Sequence, residues 1–316
     1  MKSKSMVAVL MGGCLLLGSL QQAMAAQADY AVILKTLANP YWISMRDGIE
    51  QEAKAKGVTV DIFAAGSEDD IQGQQRLLED AINKNYKAIG VAPITAVSLV
   101  QPIAAASRKG VYIVNLDEKV DVEQLKAAGG SVVAFLATDN KLVGKKGGQY
   151  IVDRLGAGGG KVAIIEGKAG NATGDARRDG AAEAFKGWDR IKVVASQPAD
   201  WDRARALDVT TNILQRNPDL KGIYAANDTM ALGAVQAVRN ANLQGQVIVV
   251  GTDGAPEALD SVKNGELTAT VAQDSAAMGA RGLDIMIDTL KNKPAISVEN
   301  AAQFIAIDSH LITQGQ

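Results

Sequence analysis

From residue 30 onward, short apolar runs rich in Val and Ile alternate with longer stretches whose apolar residues recur every three or four positions. The short runs predict strands near 30–36, 58–63, 88–92 and 111–116, and the periodic stretches predict helices near 41–56, 70–84 and 97–109. The alternation continues with strands near 132–137, 161–166, 191–196, 222–226, 247–252 and 269–273. Helices are expected between these near 141–155, 174–187, 203–216, 229–241 and 275–291. The first helix carries its own stop signal: Ile43, Asp47-Gly48-Ile49 and Ala53 fall at helical spacing, and Gly57 follows as a favoured C-terminal cap.

Strands alternating with helices in this way are the signature of parallel sheets wrapped by crossover helices. The segments Tyr30 to Ile62 and Val162 to Val194 share one layout, namely strand, polar loop, helix ending in Gly, strand. Strongly twisted open sheets seldom grow to ten strands, so a duplicated unit explains the pattern better than one wide sheet. The expected fold class is α/β, with two Rossmann-like lobes of parallel sheet facing one cleft. No low-complexity segment or Pro/Ser-rich linker separates them, so short crossings join the lobes, which suits a hinge.

The amino terminus changes the picture of where the chain works. Lys2 and Lys4, an apolar stretch from Met6 to Leu20 and the sequence Ala23-Met24-Ala25 predict a cleaved secretory signal peptide over 1–25, hence a periplasmic protein beginning at Ala26. Met11-Gly12-Gly13-Cys14 is a weak lipoprotein-like match, but Leu15, Leu16 and Leu17 continue the apolar run beyond it. Past the leader there is no cysteine, which removes disulfides and thiolate metal sites. The formal charge of −2 and the lack of a long basic run argue against nucleic acid. The single histidine, His310, leaves no histidine–cysteine metal cluster and no strong nucleophile–base pair, so neither cofactor nor enzymatic chemistry is expected. Gly156 to Val162 resembles a phosphate loop but lacks its spacing and precedes a strand, so it reads as a helix-to-strand turn. Glu68, Asp69 and Asp70 read as acids complementing a helix start.

Ligands of open α/β sheets bind beyond the carboxyl ends of the strands, and there the chain places Lys35, Asn39, Asp117-Glu118, Asn171, Asn227-Asp228, Asp253 and Gln273. Arg177, Arg178 and Trp201 fall in nearby loops. Carboxylates accept, guanidinium groups donate and amides do both, which matches neighbouring hydroxyls that each donate and accept. In Asn39-Pro40-Tyr41-Trp42, two aromatics at a strand-to-helix turn offer flat faces to the C–H face of a sugar ring. Each residue also has a structural reading. Asn227 and Asp228 suit N-caps, Asp228 mainly so, and Asp253-Gly254 suits a turn. Asp117-Glu118-Lys119 could be a solvated loop, and Tyr41 and Trp42 could plug the core.

Several ordered stretches decide between these readings by resemblance. They include Leu34-Lys35-Thr36-Leu37, Val114-Asn115-Leu116-Asp117-Glu118-Lys119, Ile165-Glu166-Gly167-Lys168-Ala169-Gly170-Asn171 and Ala226-Asn227-Asp228-Thr229-Met230-Ala231. With Val250-Gly251-Thr252-Asp253-Gly254 and Ala269-Thr270-Val271-Ala272-Gln273, the chain resembles the bacterial periplasmic sugar-binding proteins of the ribose/galactose type, over about 28–314. The resemblance implies the type I periplasmic binding protein fold, with Tyr41 and Trp42 from one lobe and Trp201 from the other sandwiching a sugar. Lys35, Asn39, Asp117, Glu118, Asn171, Arg177, Asn227, Asp253 and Gln273 would hold its hydroxyls, with Arg177 preferred to Arg178. It implies a three-crossing hinge, with lobes at 26–136 plus 274–303 and 137–273 plus 304–316. Ribose-type members usually have arginine after the aspartate and a small residue at the position of Lys35. Glu118 and Lys35 instead follow the allose-type pattern, implying D-allose ahead of ribose, another hexose or a cyclic polyol. The implied partners are a monosaccharide and the membrane permease of an ABC importer, with a chemoreceptor as a further one, for a protein acting as a monomer.

Overall fold

Five consecutive buried residues, Tyr30–Leu34, form β1, and a computed structural model describes the chain from there and its flanks over residues 28–315. The predicted leader and Cys14 lie outside the described residues. After β1 come α1 (Pro40–Lys56), β2 (Val60–Ala64), α2 (Ile71–Asn83), β3 (Ala88–Val91), α3 (Val100–Arg108), β4 (Tyr112–Leu116), α4 (Val122–Ala127) and β5 (Ala134–Thr138). The chain continues through α5 (Asn140–Leu155), β6 (Gly160–Glu166), α6 (Ala172–Lys186), β7 (Ile191–Pro198), α7 (Arg203–Arg216), β8 (Leu220–Ala225), α8 (Asp228–Asn240), β9 (Ile248–Asp253), α9 (Pro256–Lys263) and β10 (Ala269–Gln273). It closes with α10 (Ser275–Asn292), β11 (Gln303–Ile307) and β12 (Ser309–Thr313). Gly156–Gly158 forms a single 3-10 turn between α5 and β6, as expected of the glycine run there. Among the described residues no helix is long and apolar enough to cross a membrane.

The strands form two six-stranded sheets, ordered β11-β5-β4-β3-β1-β2 and β12-β10-β9-β8-β6-β7. All pairs are parallel except β10 with β12. Alternate residues of one apolar strand serve opposite faces. Ala31 and Ile33 pack with Leu78 of α2 and Ile103 of α3, whereas Val32 and Leu34 pack with Ile49 of α1 and Leu283 of α10. The second lobe repeats this: Ala163 and Ile165 meet Ile213 and Met230, while Val162 and Ile164 meet Ile151 and Phe185. Helices on both faces put a switch in strand order between β1 and β3, and between β6 and β8, where a crevice opens at the carboxyl ends.

The sequence pattern misses α4, α9, β11 and β12. The two helices have six and eight residues, too short to show a helical period. β11 is largely exposed along an edge, so nothing in Gln303-Phe304-Ile305-Ala306-Ile307 marks its pairing with β5. That pairing corrects the expected lobe boundaries. The chain passes between sheets around residue 139 rather than 136, around 274, and around 308 rather than 303, because 304–307 remain in the first lobe's sheet.

Helix α5 lies close on α6, and at Gly144 an added Cβ would fall inside contact distance of the Arg177 carbonyl. Overpacking of this kind costs about 1–3 kcal/mol. Gly144→Val is therefore expected to lower unfolding free energy by about that amount in a urea titration. An unchanged midpoint would show that the two helices can separate freely.

Candidate functional site

The loop after β1 carries Lys35, which is only 3% exposed. Its Nζ lies 3.4 Å from Asp117 Oδ2 and 3.9 Å from Glu118 Oε2, and 5.2 Å from the centre of the Trp42 ring. Burial alone would lower the lysine's pKa. The carboxylates of Asp117, Glu68 and Glu118 outweigh it, so the ammonium is held more firmly than usual. The Tyr41 hydroxyl donates to Asp117 Oδ1 at 3.0 Å. Burial, reinforced by Asp117, pushes that phenol well above its ordinary value, so it stays a donor. Pro40 begins α1, and Asn39 Oδ1 caps it by accepting from Tyr41 N–H at 3.1 Å. Tyr41 and Trp42 meet edge to face at 4.9 Å, and both belong to the buried cluster of Val32 and Leu34. They are core and cavity wall at once, which dissolves the choice posed by the sequence.

In the second lobe Asn171 and Asn227 are N-caps too, with Oδ1 atoms accepting from Gly174 N–H at 2.9 Å and Met230 N–H at 2.8 Å. Capping occupies one end of each amide; the other end of Asn227 faces the cleft, whereas that of Asn171 donates to Glu118 Oε2 at 2.8 Å. Arg177 is 4% exposed; it donates to Asn140 Oδ1, Ala226 O and Asp253 Oδ1 at 2.8, 2.8 and 3.2 Å. Its guanidinium carbon stands 5.9 Å from the centre of the Trp201 ring. Arg178 instead pairs with Asp175, Asp179 and Glu166, on the outer side of α6. Gln273 Nε2 donates to Asp253 Oδ1 at 2.7 Å, leaving its buried Oε1 without a protein partner.

The structure corrects the reading of Asp228 as mainly a cap. Asn227 caps α8, and Asp228 accepts from Ala255 N–H at 2.7 Å and Thr270 Oγ1 at 2.7 Å, bracing the loop that presents Asp253. Burial pushes both carboxyls up; Asp253's charge adds to the rise at Asp228, and Arg177 pulls Asp253 back.

Of the twelve residues expected from the sequence, ten line one narrow cavity of about 30 Å³ between the lobes. Glu118 and Gln273 do not line it, and Glu68 and Thr173 do. Glu68 was missed as a wall residue because it reads as a helix-start acid. Asp70 is the cap of α2, while Glu68 Oε1 accepts from Trp42 Nε1 at 2.8 Å and from Asn39 Nδ2 at 3.5 Å. No local signal marks Glu68 beyond its place after β2. A roomier groove of about 570 Å³, walled by Val122, Phe135 and Phe304, lies elsewhere on the first lobe, away from these buried charges.

Three wall residues have left-handed or related backbone: φ is 61° at Asp117, 66° at Trp201 and 121° at Asp253. Non-glycine residues hold such angles only when the surroundings determine them, and they gather at functional sites. The lobes also touch across the cleft. Glu118 accepts from Asn171 Nδ2 at 2.8 Å and Ala172 N–H at 3.2 Å, and Asp69 pairs with Lys168 at the rim.

Two α/β lobes joined by three crossings and closed over a small cavity of aromatic, amide and charged groups define a solute-binding receptor. The chain belongs to the periplasmic binding protein family: the family's periplasmic binding protein domain matches residues 30–294. It is 60% identical over 289 residues, 92% of this chain and 93% of the relative, to the D-allose-binding periplasmic protein of Escherichia coli K12. The ribose import binding protein of Haemophilus influenzae is 34% identical over 82% of this chain and 84% of its own. Among solved structures, a periplasmic solute binding protein of Actinobacillus succinogenes with bound D-allose superposes with TM-score 0.84 at 36% identity, covering 90% of this chain and 97% of its own. The Caulobacter myo-inositol binding protein gives 0.80 at 29% identity, with 90% and 93% covered.

Trp201 reaches its place because Gly167 has no side chain; a Cβ there would enter the indole ring. Gly167→Ala is expected to shift tryptophan emission while thermal unfolding moves little. Unaltered emission would mean the ring is not held against Gly167.

Proposed function

We propose that this chain is the periplasmic receptor of a sugar ABC importer. It captures a monosaccharide, D-allose foremost, between its lobes and delivers it chemically unchanged to the membrane permease. The observation that carries this reading is the closed cavity to which both lobes contribute aromatics and buried polar groups: Tyr41, Trp42, Lys35 and Asp117 from one, Trp201, Arg177, Asn227 and Asp253 from the other. A ligand can shift a two-lobed protein only by binding the closed form better, and contacts from both sides achieve that.

The chemistry suits a polyhydroxylated ring. Flat aromatic faces take the C–H surface, and the polar groups around the wall alternate acceptors with donors. A dissociation constant of about 1 μM corresponds to about −8 kcal/mol. Five or six hydrogen bonds to charged groups at roughly 1.5–3 kcal/mol each, together with the aromatic contact, can exceed an association cost of about 4–15 kcal/mol. The allose preference is supported by the 60% identity with the allose-binding relative and by the allose-bound neighbour in structure. Export to the periplasm agrees with the relatives' names and with the leader expected at 1–25. The permease, and a chemoreceptor as a second reader, would recognise the closed monomer.

Titration calorimetry against allose, ribose, galactose, glucose and inositol should give its tightest binding with allose, and each sugar should be recovered unaltered. Tight ribose binding without allose binding would overturn the preference, and turnover of a glycoside would overturn the receptor reading. Trp42→Ala and Asp117→Ala should each weaken binding beyond detection while leaving the circular dichroism spectrum intact. Retained affinity in either variant would remove that residue from the site.

A further inference from the structure

Glu118 differs from the other residues the sequence singles out, because its carboxylate faces the opposite lobe and not the cavity. It sits in the loop after β4, 1% exposed. Its Oε2 accepts from Asn171 Nδ2 at 2.8 Å and its Oε1 from Ala172 N–H at 3.2 Å. These donors are the N-cap and first residue of α6, so a carboxylate meets the positive end of a helix from the other lobe. Its own loop is held rigidly. Asn115 donates through Nδ2 to the Glu118 carbonyl at 2.8 Å and accepts from Val120 N–H at 2.9 Å, and Asp117 N–H donates to Leu136 O at 2.8 Å. Lys35, 3.9 Å from Oε2 and carried by the same lobe, balances the charge. At the rim the Asp69–Lys168 pair spans the same gap.

We propose that Glu118 is a latch between the lobes and not a sugar contact: its bonds to Asn171 and Ala172 hold a share of the ligand-free protein closed. In water the same three groups are solvated, so the bonds contribute modestly and bias an equilibrium without locking it. Apparent affinity scales with the fraction of protein in the competent state, so the latch acts on every sugar by one common factor. A direct contact would instead act unequally on sugars that differ at the hydroxyl it touches. The effect on affinity rests on the receptor reading, whereas the effect on lobe separation does not.

The test is Glu118→Gln, which keeps the shape but turns an amide NH₂ toward one of the two donors. Energy transfer between dyes on cysteines placed at the exposed positions Val97 and Leu259, one in each lobe, reports separation. The sequence offers no competing cysteine beyond Cys14. The ligand-free variant should be more open than its parent, and its dissociation constants for all bound sugars should rise about tenfold together. Asn171→Ser retains an oxygen to cap α6 and removes the amide donor. It should open the ligand-free protein in the same way, and the double variant should open it little further. An unchanged ligand-free separation in both single variants, or affinity losses of Glu118→Gln that differ widely from sugar to sugar, would overturn the latch; Asn171 lines the cavity, so its variant is read by lobe separation alone. If no sugar binds at all, the receptor reading fails and the ligand-free separation still decides the latch.

Discussion

Lys35 is a cation removed almost wholly from water, and the organisation of the cleft follows from the need to balance its charge. A buried ammonium without partners would lose its proton or unfold its surroundings. Here Asp117 and Glu118 lie within 4 Å and the face of Trp42 is adjacent. The balance extends outward through hydrogen bonds. Tyr41 donates to Asp117, Trp42 and Asn39 to Glu68, and Glu118 accepts from Asn171 and Ala172 of the other lobe. One buried charge thus organises the first lobe's wall and reaches across the gap.

The second lobe repeats the device with the same signs. Arg177 is its buried cation and Asp253 the carboxylate facing it, with Gln273 on that carboxylate and Asp228 bracing the loop behind. Such networks are worth having only when nearly every member is satisfied, because the low dielectric that strengthens each bond also penalises each orphan. The buried Gln273 Oε1 is such an orphan, beside a cavity wall that takes its chemistry from the same groups. The left-handed backbone at Asp117 and Trp201 belongs to the same economy. Packing in both lobes holds angles that an isolated loop would relax, so these side chains are aimed before any ligand arrives.

Much of this was legible in the chain. Strand-to-helix alternation predicted ten strands and eight helices in order, because buried parallel strands and one-sided helices have different apolar periods. The placement of ligand groups after strands brought Lys35, Asn39, Asp117, Asn171, Asn227 and Asp253 into consideration, and all of them line the cavity. Glu68 was not legible, since an acid near a helix start has an adequate local explanation. The tail strands were not legible either: β11 and β12 gain their status from neighbours far away in sequence, β5 and β10.

By itself, then, the sequence determined what depends on local order: the elements, the two-lobed α/β class, and the polar inventory at strand ends. These follow from periodicity and from the directionality of parallel sheets. Only the tertiary structure decided how one polar group is used among several uses its chemistry allows. Asp228 braces a loop while Asn227 caps, Arg177 enters the cavity while Arg178 stays outside, and Glu118 turns to the opposite lobe. The reason is physical: a carboxylate can serve a cap, an ion pair or a ligand, an amide a cap or a ligand, and a guanidinium an ion pair or a ligand. Which of these it does is settled by the donors and acceptors that folding brings within about 3 Å.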